Sequence, residues 1–405
     1  CVEHFFDCDK GICHQVLAGF LHQGLVVVGS DSHTCTAGAL DCFAVGLNKT
    51  ETAYLWKTGK MWFRVPETVK ITLSGKFREG VYAKDLALHI LGMLRDEDVD
   101  YTLVEYHGEG VKELSISDRM TIANISAEAG LKTSVFPPDD RLADYFGDYA
   151  VQGVWADENA VYHKEFTLDL GQVMPLVMVT HQLNDVKSVA EAEMLEIQQG
   201  LIGACSNGRI EDLRVVARIL EGKRLASGFQ LSVIPASYDI YIQAREEGLV
   251  DKITKAGASV LGASCGPCLG SSHMLNADTK RFITTTNSNS MQRMSEVGVE
   301  KYIASPATVA ATALTGKLSA EVEYSGEVYG YWATPVVAVR IDECDDRRRG
   351  YVWNYTDVNH ISSGQLFEEK QSYRISIEDS RAMVPHLLAG LDASFATRVE
   401  SGDII

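Results

Sequence analysis

Gly203-Ala204-Cys205-Ser206-Asn207-Gly208 and Gly262-Ala263-Ser264-Cys265-Gly266-Pro267-Cys268-Leu269-Gly270 are the stretches that decide the fold of this chain. Each follows a short apolar run, Leu201-Ile202-Gly203 and Ser259-Val260-Leu261, that reads as a strand emptying into a glycine-rich turn. Between the two lie a helical pattern from Glu211 to Arg218, a strand at Leu231-Ser232-Val233-Ile234-Pro235 and a helical pattern from Tyr238 to Glu247. Strand, helix, strand, helix is a parallel α/β unit. Both cysteine turns therefore belong at the same edge of one sheet. Three thiolates from two such turns can hold a [4Fe–4S] cluster by three corners and leave one iron without a protein ligand. An open iron is a Lewis acid, able to take a hydroxyl and a carboxylate.

Other readings of the cysteines remain. Cys265-Gly266-Pro267-Cys268 also suits a thioredoxin-like redox site, which predicts a compact domain of about 100 residues with the motif opening a helix. A structural zinc site needs four ligands, and His273 is the nearby candidate for the fourth. Buried inert thiols are the plainest alternative. The cluster reading alone uses all three cysteines and needs no fourth.

At 405 residues the chain is long enough for two to four domains. It is 46% hydrophobic and 23% charged, with 34 glycines, the composition of a globular protein. A net charge of −18 argues against nucleic acid or an anionic membrane as partner, but not against a small anionic substrate met by a local group of donors. No apolar run reaches the ~18 residues of a spanning helix. Nine cysteines, an odd number, suit a reducing compartment better than a disulfide framework, so the expected location is the cytoplasm, or an organelle such as the mitochondrial matrix in a eukaryote. The chain opens at Cys1 inside a strand-and-turn pattern and closes at Gly402-Asp403-Ile404-Ile405, which resembles the start of a buried strand. The expectation is a fragment cut at both ends.

Along the chain, residues 1–66 form a first unit. Gly24-Leu25-Val26-Val27-Val28-Gly29 is a buried strand that delivers Ser30-Asp31-Ser32-His33-Thr34, with a Thr36-Ala37-Gly38-Ala39 turn behind it. Ligands of open α/β sheets gather at such strand ends, so His33 is as well read as a functional group as a structural one. Thr50 is a cap candidate for the next helix, and Pro66 its stop. Residues 67–185 read as a second unit: a strand at Thr68 to Leu73, a helix over Lys84 to Leu91 with His89 packed in its apolar face, a helix from Asp118 to Gly130, and a strand at Val173 to Val179. In that second helix Asn124 and Glu128 share a face, and a carboxylate among apolar neighbours is either solvent-facing or aimed into a site. Residues 186–330 form the third unit, in which Ser188 and Glu191 match a capping box for a helix through Leu195. Thr284 to Arg293 is a polar loop, and Ser305-Pro306 caps a final Ala-rich helix. Residues 331–349 read as a linker and 350–405 as the beginning of a further α/β piece.

Five motifs, in this order, carry a family resemblance over residues 1 to about 330: Gly11-Ile12-Cys13-His14-Gln15-Val16, Gly29-Ser30-Asp31-Ser32-His33-Thr34, Asn124-Ile125-Ser126-Ala127-Glu128, Cys205-Ser206-Asn207 and Cys265-Gly266-Pro267-Cys268-Leu269. Together they resemble the aconitase superfamily of iron–sulfur hydro-lyases, and within it the large subunits of 3-isopropylmalate dehydratase and homoaconitase. The resemblance implies three α/β domains around the cluster and a fourth, swivelling domain as a lid, of which 350–405 is the start. By the same resemblance Cys205, Cys265 and Cys268 ligate the cluster, and His14, Asp31, Ser32, His33 and Glu128 line the active site. Asn124, Asn287 and Arg293 would bind substrate or cluster.

The implied activity is reversible dehydration of a hydroxy di- or tricarboxylic acid, 3-isopropylmalate dehydratase-like, with aconitate hydratase or homoaconitase as alternatives. A non-catalytic RNA-binding relative and a thiol–disulfide oxidoreductase are the readings from other classes. The family's proton-abstracting serine follows soon after a strand like Gly402 to Ile405, so the chain is expected to need the rest of the swivel domain or a small subunit and to be inactive alone. One departure stands out. The family's Asn-Arg-Asn is here Asn287-Ser288-Asn289, which removes a carboxylate contact worth roughly 1.5–3 kcal/mol.

Overall fold

The computed structural model describes residue 6 and residues 10–147, 153–179, 185–192, 195–266, 275–276, 278–287 and 299–320. The expected linker at 331–349 and swivel piece at 350–405 lie outside the described residues, as do Cys268, His273, Ser288 and Arg293.

The first apolar run forms β1 (Val26–Gly29), which pairs in parallel with β2 (Phe43–Gly46), Val28 opposite Val45. Contrary to the sequence reading it is not a buried strand, since the two-stranded sheet leaves all four residues at least partly exposed and Val26 63% exposed. The residues between them are not a turn but a nine-residue 3-10 segment, Ser32–Leu40, buried along most of its length. The next helix, Lys49–Thr58, is capped by Asn48 and not by Thr50. The Asn48 side chain accepts from the Glu51 N–H and the Glu51 carboxylate accepts from the Asn48 N–H, each at 2.9 Å. The helix ends at Gly59, ahead of Pro66.

A four-stranded sheet follows, made of β3 (Thr68–Ser74), β4 (Leu103–His107), β5 (Thr133–Val135) and β6 (Lys164–Asp169) in the order β5-β4-β3-β6, all parallel. The alternation in β3 buries Val69, Ile71 and Leu73 on one face. That face packs on the helices Ala83–Leu94 and Ile116–Ile125, which share one core with the 3-10 segment.

The third sheet contains β7 (Leu176–Val179), β8 (Asp185–Ser188), β9 (Gln199–Gly203), β10 (Gln230–Ile234), β11 (Ser259–Val260), β12 (Arg281–Thr284) and β13 (Glu300–Ala304) in the order β11-β10-β9-β12-β13-β7-β8. From β11 to β13 all neighbours are parallel, as alternating strands and helices demand. Strands β7 and β8 extend it by antiparallel pairing. Sheet membership thus changes between Asp169 and Leu176, ahead of the 185/186 boundary read from the sequence. Ser188 and Glu191 do exchange capping-type hydrogen bonds (3.2 and 3.3 Å), but around a turn in place of the expected helix. The helices Ile210–Leu220, Leu249–Ala256 and Pro306–Thr315 cover the sheet and form a second core with it. Ser305 caps the last of them as its sequence implies. No helix among the described residues is long and apolar enough to cross a membrane.

The helix Ile116–Ile125 is fixed by an ion pair whose arginine is fully buried and whose carboxylate is 15% exposed. Arg119, with no exposed surface, donates to both Asp139 oxygens at 2.8 and 2.5 Å and to the Val111 carbonyl at 3.1 Å. Removing one member of a buried pair leaves the other charge uncompensated. Asp139→Ala is therefore expected to lower the unfolding free energy by about 3–5 kcal/mol in urea denaturation; a loss under about 1 kcal/mol would mean that the pair is not holding the helix.

Candidate active site

The C-terminal ends of β9 and β11 lie at the same edge of the seven-stranded sheet, two strands apart across β10. Cys205 follows β9 and Cys265 follows β11, so the two cysteine turns share an edge, as the strand–helix alternation requires. Delivering Cys205 needs an unusual backbone. Gly203 adopts φ 130°, where a Cβ would stand 2.0 Å from the Ile234 carbonyl oxygen, and Ala204 follows at φ 58°. Only glycine fits the first position, and the second stores strain. The turn then closes into one helical turn, Ala204–Asn207, with Cys205 buried.

The end of β1 supplies the second group. Asp31 is the N-cap of the 3-10 segment, and its Oδ1 accepts from the His33 backbone N–H at 2.8 Å. The same oxygen lies 3.1 Å from His14 Nε2 and 3.3 Å from His33 Nδ1. Gly46 makes room for this turn, because a Cβ there would lie 2.8 Å from both the Asp31 carbonyl oxygen and the Ser32 Cα. On its far side His33 meets Glu128, Nε2 to Oε1 at 3.4 Å. The result is a line of alternating groups, His14, Asp31, His33 and Glu128. Asp31 opens to solvent, its side chain 48% exposed, whereas those of His14, His33 and Glu128 are 6%, 10% and 2% exposed. Ser32 is exposed beside Asp31.

The charges follow from this geometry. Burial works against a proton on His14, but hydrogen bonding to Asp31 and to Cys13 outweighs it and raises the pKa to about 10. Burial likewise opposes charge on His33; the Cys205 thiolate, Asp31 and Glu128 together raise it to about 10. The hydrogen bonds from His14 and then His33 push the Asp31 carboxyl well below the usual range, against the effect of burial. Both imidazoles are thus cationic at neutral pH and both can donate.

Asn124 and Glu128 do reach the site together, though not along one helix. The α-helix stops at Ile125, and Ser126–Ala129 is a 3-10 turn. Asn124, wholly buried, donates from Nδ2 to Thr36 Oγ1 at 2.7 Å and to Cys205 Sγ at 3.5 Å. Its Oδ1 accepts from Asn287 Nδ2 at 2.6 Å. His89, half-buried in the helix Ala83–Leu94, has its pKa lowered by burial, consistent with packing.

Two groups here are not anticipated by the sequence reading. Lys84, fully buried, donates to Ser206 Oγ at 2.8 Å and to Asn287 Oδ1 at 3.2 Å. Arg209, 4% exposed, donates to the Cys205 carbonyl at 3.1 Å, to the Ser206 carbonyl and to Ser117 Oγ at 2.9 Å. The available signals were a charged pair, Lys84-Asp85, opening an apolar helix, and an arginine directly after the Cys-Ser-Asn-Gly turn.

The donor set suits an anionic cluster. Cys205 Sγ accepts from the Asn124 side-chain N–H at 3.5 Å and lies close enough to His14, His33 and Lys84 to act electrostatically on all three. Cys265 is half-buried on the neighbouring turn, and the cysteines among the described residues are free of disulfides. No three His, Cys, Asp or Glu side chains among the described residues are grouped to hold a metal, and the third cysteine of the motif, Cys268, lies outside them.

The sequence has clear relatives among known proteins. The profile of the aconitase family (aconitate hydratase) matches residues 3–194 and 179–316. The chain is 43% identical over 323 residues to 3-isopropylmalate dehydratase large subunit 1 of Methanopyrus kandleri, covering 78% of this chain and 77% of that protein. It is 40% identical over 323 residues to a probable methanogen homoaconitase large subunit of Methanosarcina mazei, covering 78% of this chain and 82% of that protein. Among solved structures, aconitase X of Thermococcus kodakaraensis aligns over 71% of this chain and 68% of its own at 14% identity, with a TM-score of 0.46. With a family profile matched from the first strand to the last helix described, and relatives at such identity over most of their length, this chain belongs to the aconitase family.

Proposed function

We propose that the chain is the large, cluster-bearing part of an iron–sulfur hydro-lyase that reversibly dehydrates a hydroxy di- or tricarboxylic acid, with a 3-isopropylmalate-type substrate and a homoaconitate-type one as the nearest candidates. The observation that carries this reading is the line His14–Asp31–His33–Glu128, with its two cationic imidazoles, beside the buried Cys205 turn. Cys205, Cys265 and Cys268 would hold a [4Fe–4S] cluster. When bound, that cluster supplies Lewis acidity towards a hydroxyl and a carboxylate.

The chain's own residues do the rest. Asp31, anionic and anchored by the His33 N–H, fixes the orientation of both imidazoles and keeps them protonated. His14, through Nδ1, and His33, by exchanging its long Nε2 contact with Glu128 for the substrate, would donate to the departing hydroxyl oxygen, or in the reverse direction to the water that re-adds. Glu128, almost fully enclosed, accepts from His33 and holds that ring in place; the proton that His33 gives to the leaving hydroxyl comes back to it from the water that re-adds in the reverse direction. Arg293, from outside the described residues, would engage a substrate carboxylate, and Asn287, buried and bonded to Lys84 and Asn124, would act on the cluster side. The relatives are named as large subunits, which supports a second, smaller subunit as the partner that completes the site.

Glu128→Gln should lower kcat by roughly 10²-fold in the cluster-loaded, fully assembled enzyme, assayed in parallel on isopropylmalate, homoaconitate and citrate; undiminished turnover on the preferred acid would remove Glu128 from the mechanism. Anaerobic reconstitution should give the broad visible absorbance of a cluster, and Cys205→Ser should abolish it. The imidazoles give a pH signature in the cluster-free protein. Their folded pKa values lie above the ordinary 6.5, so their contribution to stability is complete below pH 6.5 and is lost as pH rises through about 10. Histidine NMR titration should find both rings protonated at pH 7.5, and Asp31→Asn should bring both titrations down.

A further inference from the structure

Lys84 has no part in the chemistry just described, yet it is fully buried near its centre. An ammonium taken out of water is costly unless it is well paired. Here both hydrogen-bond partners are neutral oxygens, Ser206 Oγ at 2.8 Å and Asn287 Oδ1 at 3.2 Å. A lysine only donates. Asn287 must therefore turn its carbonyl to Lys84 and its NH2 away, and the NH2 lies 2.6 Å from Asn124 Oδ1. Asn124, its own carbonyl so engaged, is left to point its NH2 at Thr36 Oγ1 and at Cys205 Sγ. The oxygen and nitrogen of a carboxamide are nearly equal in size, so shape alone does not choose between the two orientations of either amide. The two ends of the chain do: Lys84 at its head, and Thr36 at the other, whose hydroxyl is given to the His33 carbonyl at 2.7 Å and so can only accept from Asn124. With both amides reversed, a carbonyl would face the thiolate.

We propose that Lys84 is a positioning residue for the iron–sulfur centre: it sets the direction of the buried chain Lys84–Asn287–Asn124–Cys205 so that the chain ends on an N–H donated to a cluster-ligating sulfur, and thereby raises the reduction potential of the cluster. The proposal rests on Cys205 being a cluster ligand. Hydrogen bonds to ligating sulfur and nearby positive charge both favour the reduced, more negative cluster.

The test is a redox titration of the reconstituted, fully assembled enzyme, followed by electron paramagnetic resonance. Lys84→Met keeps the length of the side chain and removes the charge and the donor. It is expected to shift the reduced-to-oxidised ratio at a fixed potential about tenfold towards oxidised, about 59 mV for a one-electron couple. Asn287→Asp is the second variant: a carboxylate still accepts from Lys84 but cannot donate to Asn124 Oδ1, so the potential should fall in the same direction. A Lys84→Met enzyme that loses thermal stability but keeps the wild-type potential would show a purely structural lysine and overturn the proposal. Should that variant not fold, an Asn287→Asp enzyme with unchanged potential overturns it equally. A wild-type protein that takes up no cluster overturns the hydro-lyase reading itself, an outcome distinct from an unshifted potential in a cluster-loaded variant.

Discussion

The side-chain amide of Asn124 is the point through which the three sheets are joined. It rises from a helix on the four-stranded sheet, donates to Thr36 beside the two-stranded sheet, and meets Cys205 and Asn287 at the edge of the seven-stranded one. Buried amide groups without partners cost roughly 1–3 kcal/mol each, so each sheet has an energetic reason to hold its place against the other two. That demand fixes where His33 and Glu128, delivered by different sheets, come to face each other.

Around this amide the polar groups outnumber what an ordinary core tolerates. Lys84, Asp85, Arg119, Asn124 and Arg209 are all buried, and each has hydrogen-bond partners. Asp85 illustrates the tension: burial pushes its carboxyl up to about 7, although the N–H groups of Leu176 and Tyr82 bond to it. Of these groups only Arg119 Nε lacks a partner, and so heavily paired a set favours one arrangement, because a slip would strand a charge. The strained Gly203-Ala204 backbone belongs to the same economy of the site, since it aims Cys205 into the network.

Much of this was legible in the sequence where the signal is local. Apolar runs announce β1 and β9, alternation announces β3, and glycine-rich turns after two parallel strands announce the shared edge. The burial that the β1 run implies is not found, because its position in an open two-stranded sheet leaves Val26 63% exposed. Asp31 and His33 stand where a strand end would put them. What was not legible depends on partners distant in sequence. Lys84 reads as a surface charge until Ser206 and Asn287 are brought to it. The split of the Asn124–Glu128 helix at Ser126 has no cue in residues that are all compatible with a helix. Ser188 and Glu191 formed the hydrogen bonds their pattern implies, but the same bonds close a turn as readily as they start a helix. The pairing of β7 with β13 lies beyond any local pattern, as it is decided by an open sheet edge.

That last pairing bears on the order in which the molecule is made. All strands of the four-stranded sheet fall between Thr68 and Asp169, so this unit has its complete set before the remainder leaves the ribosome. Strand β7, by contrast, can pair at once with β8 but must wait for Tyr302–Ala304 to emerge before it joins the rest of its sheet. Closing so long a loop slows assembly more than it weakens the finished product. The sheet edge that carries the Cys205 and Cys265 turns is therefore among the latest parts of the described chain to take shape, upon a scaffold already set.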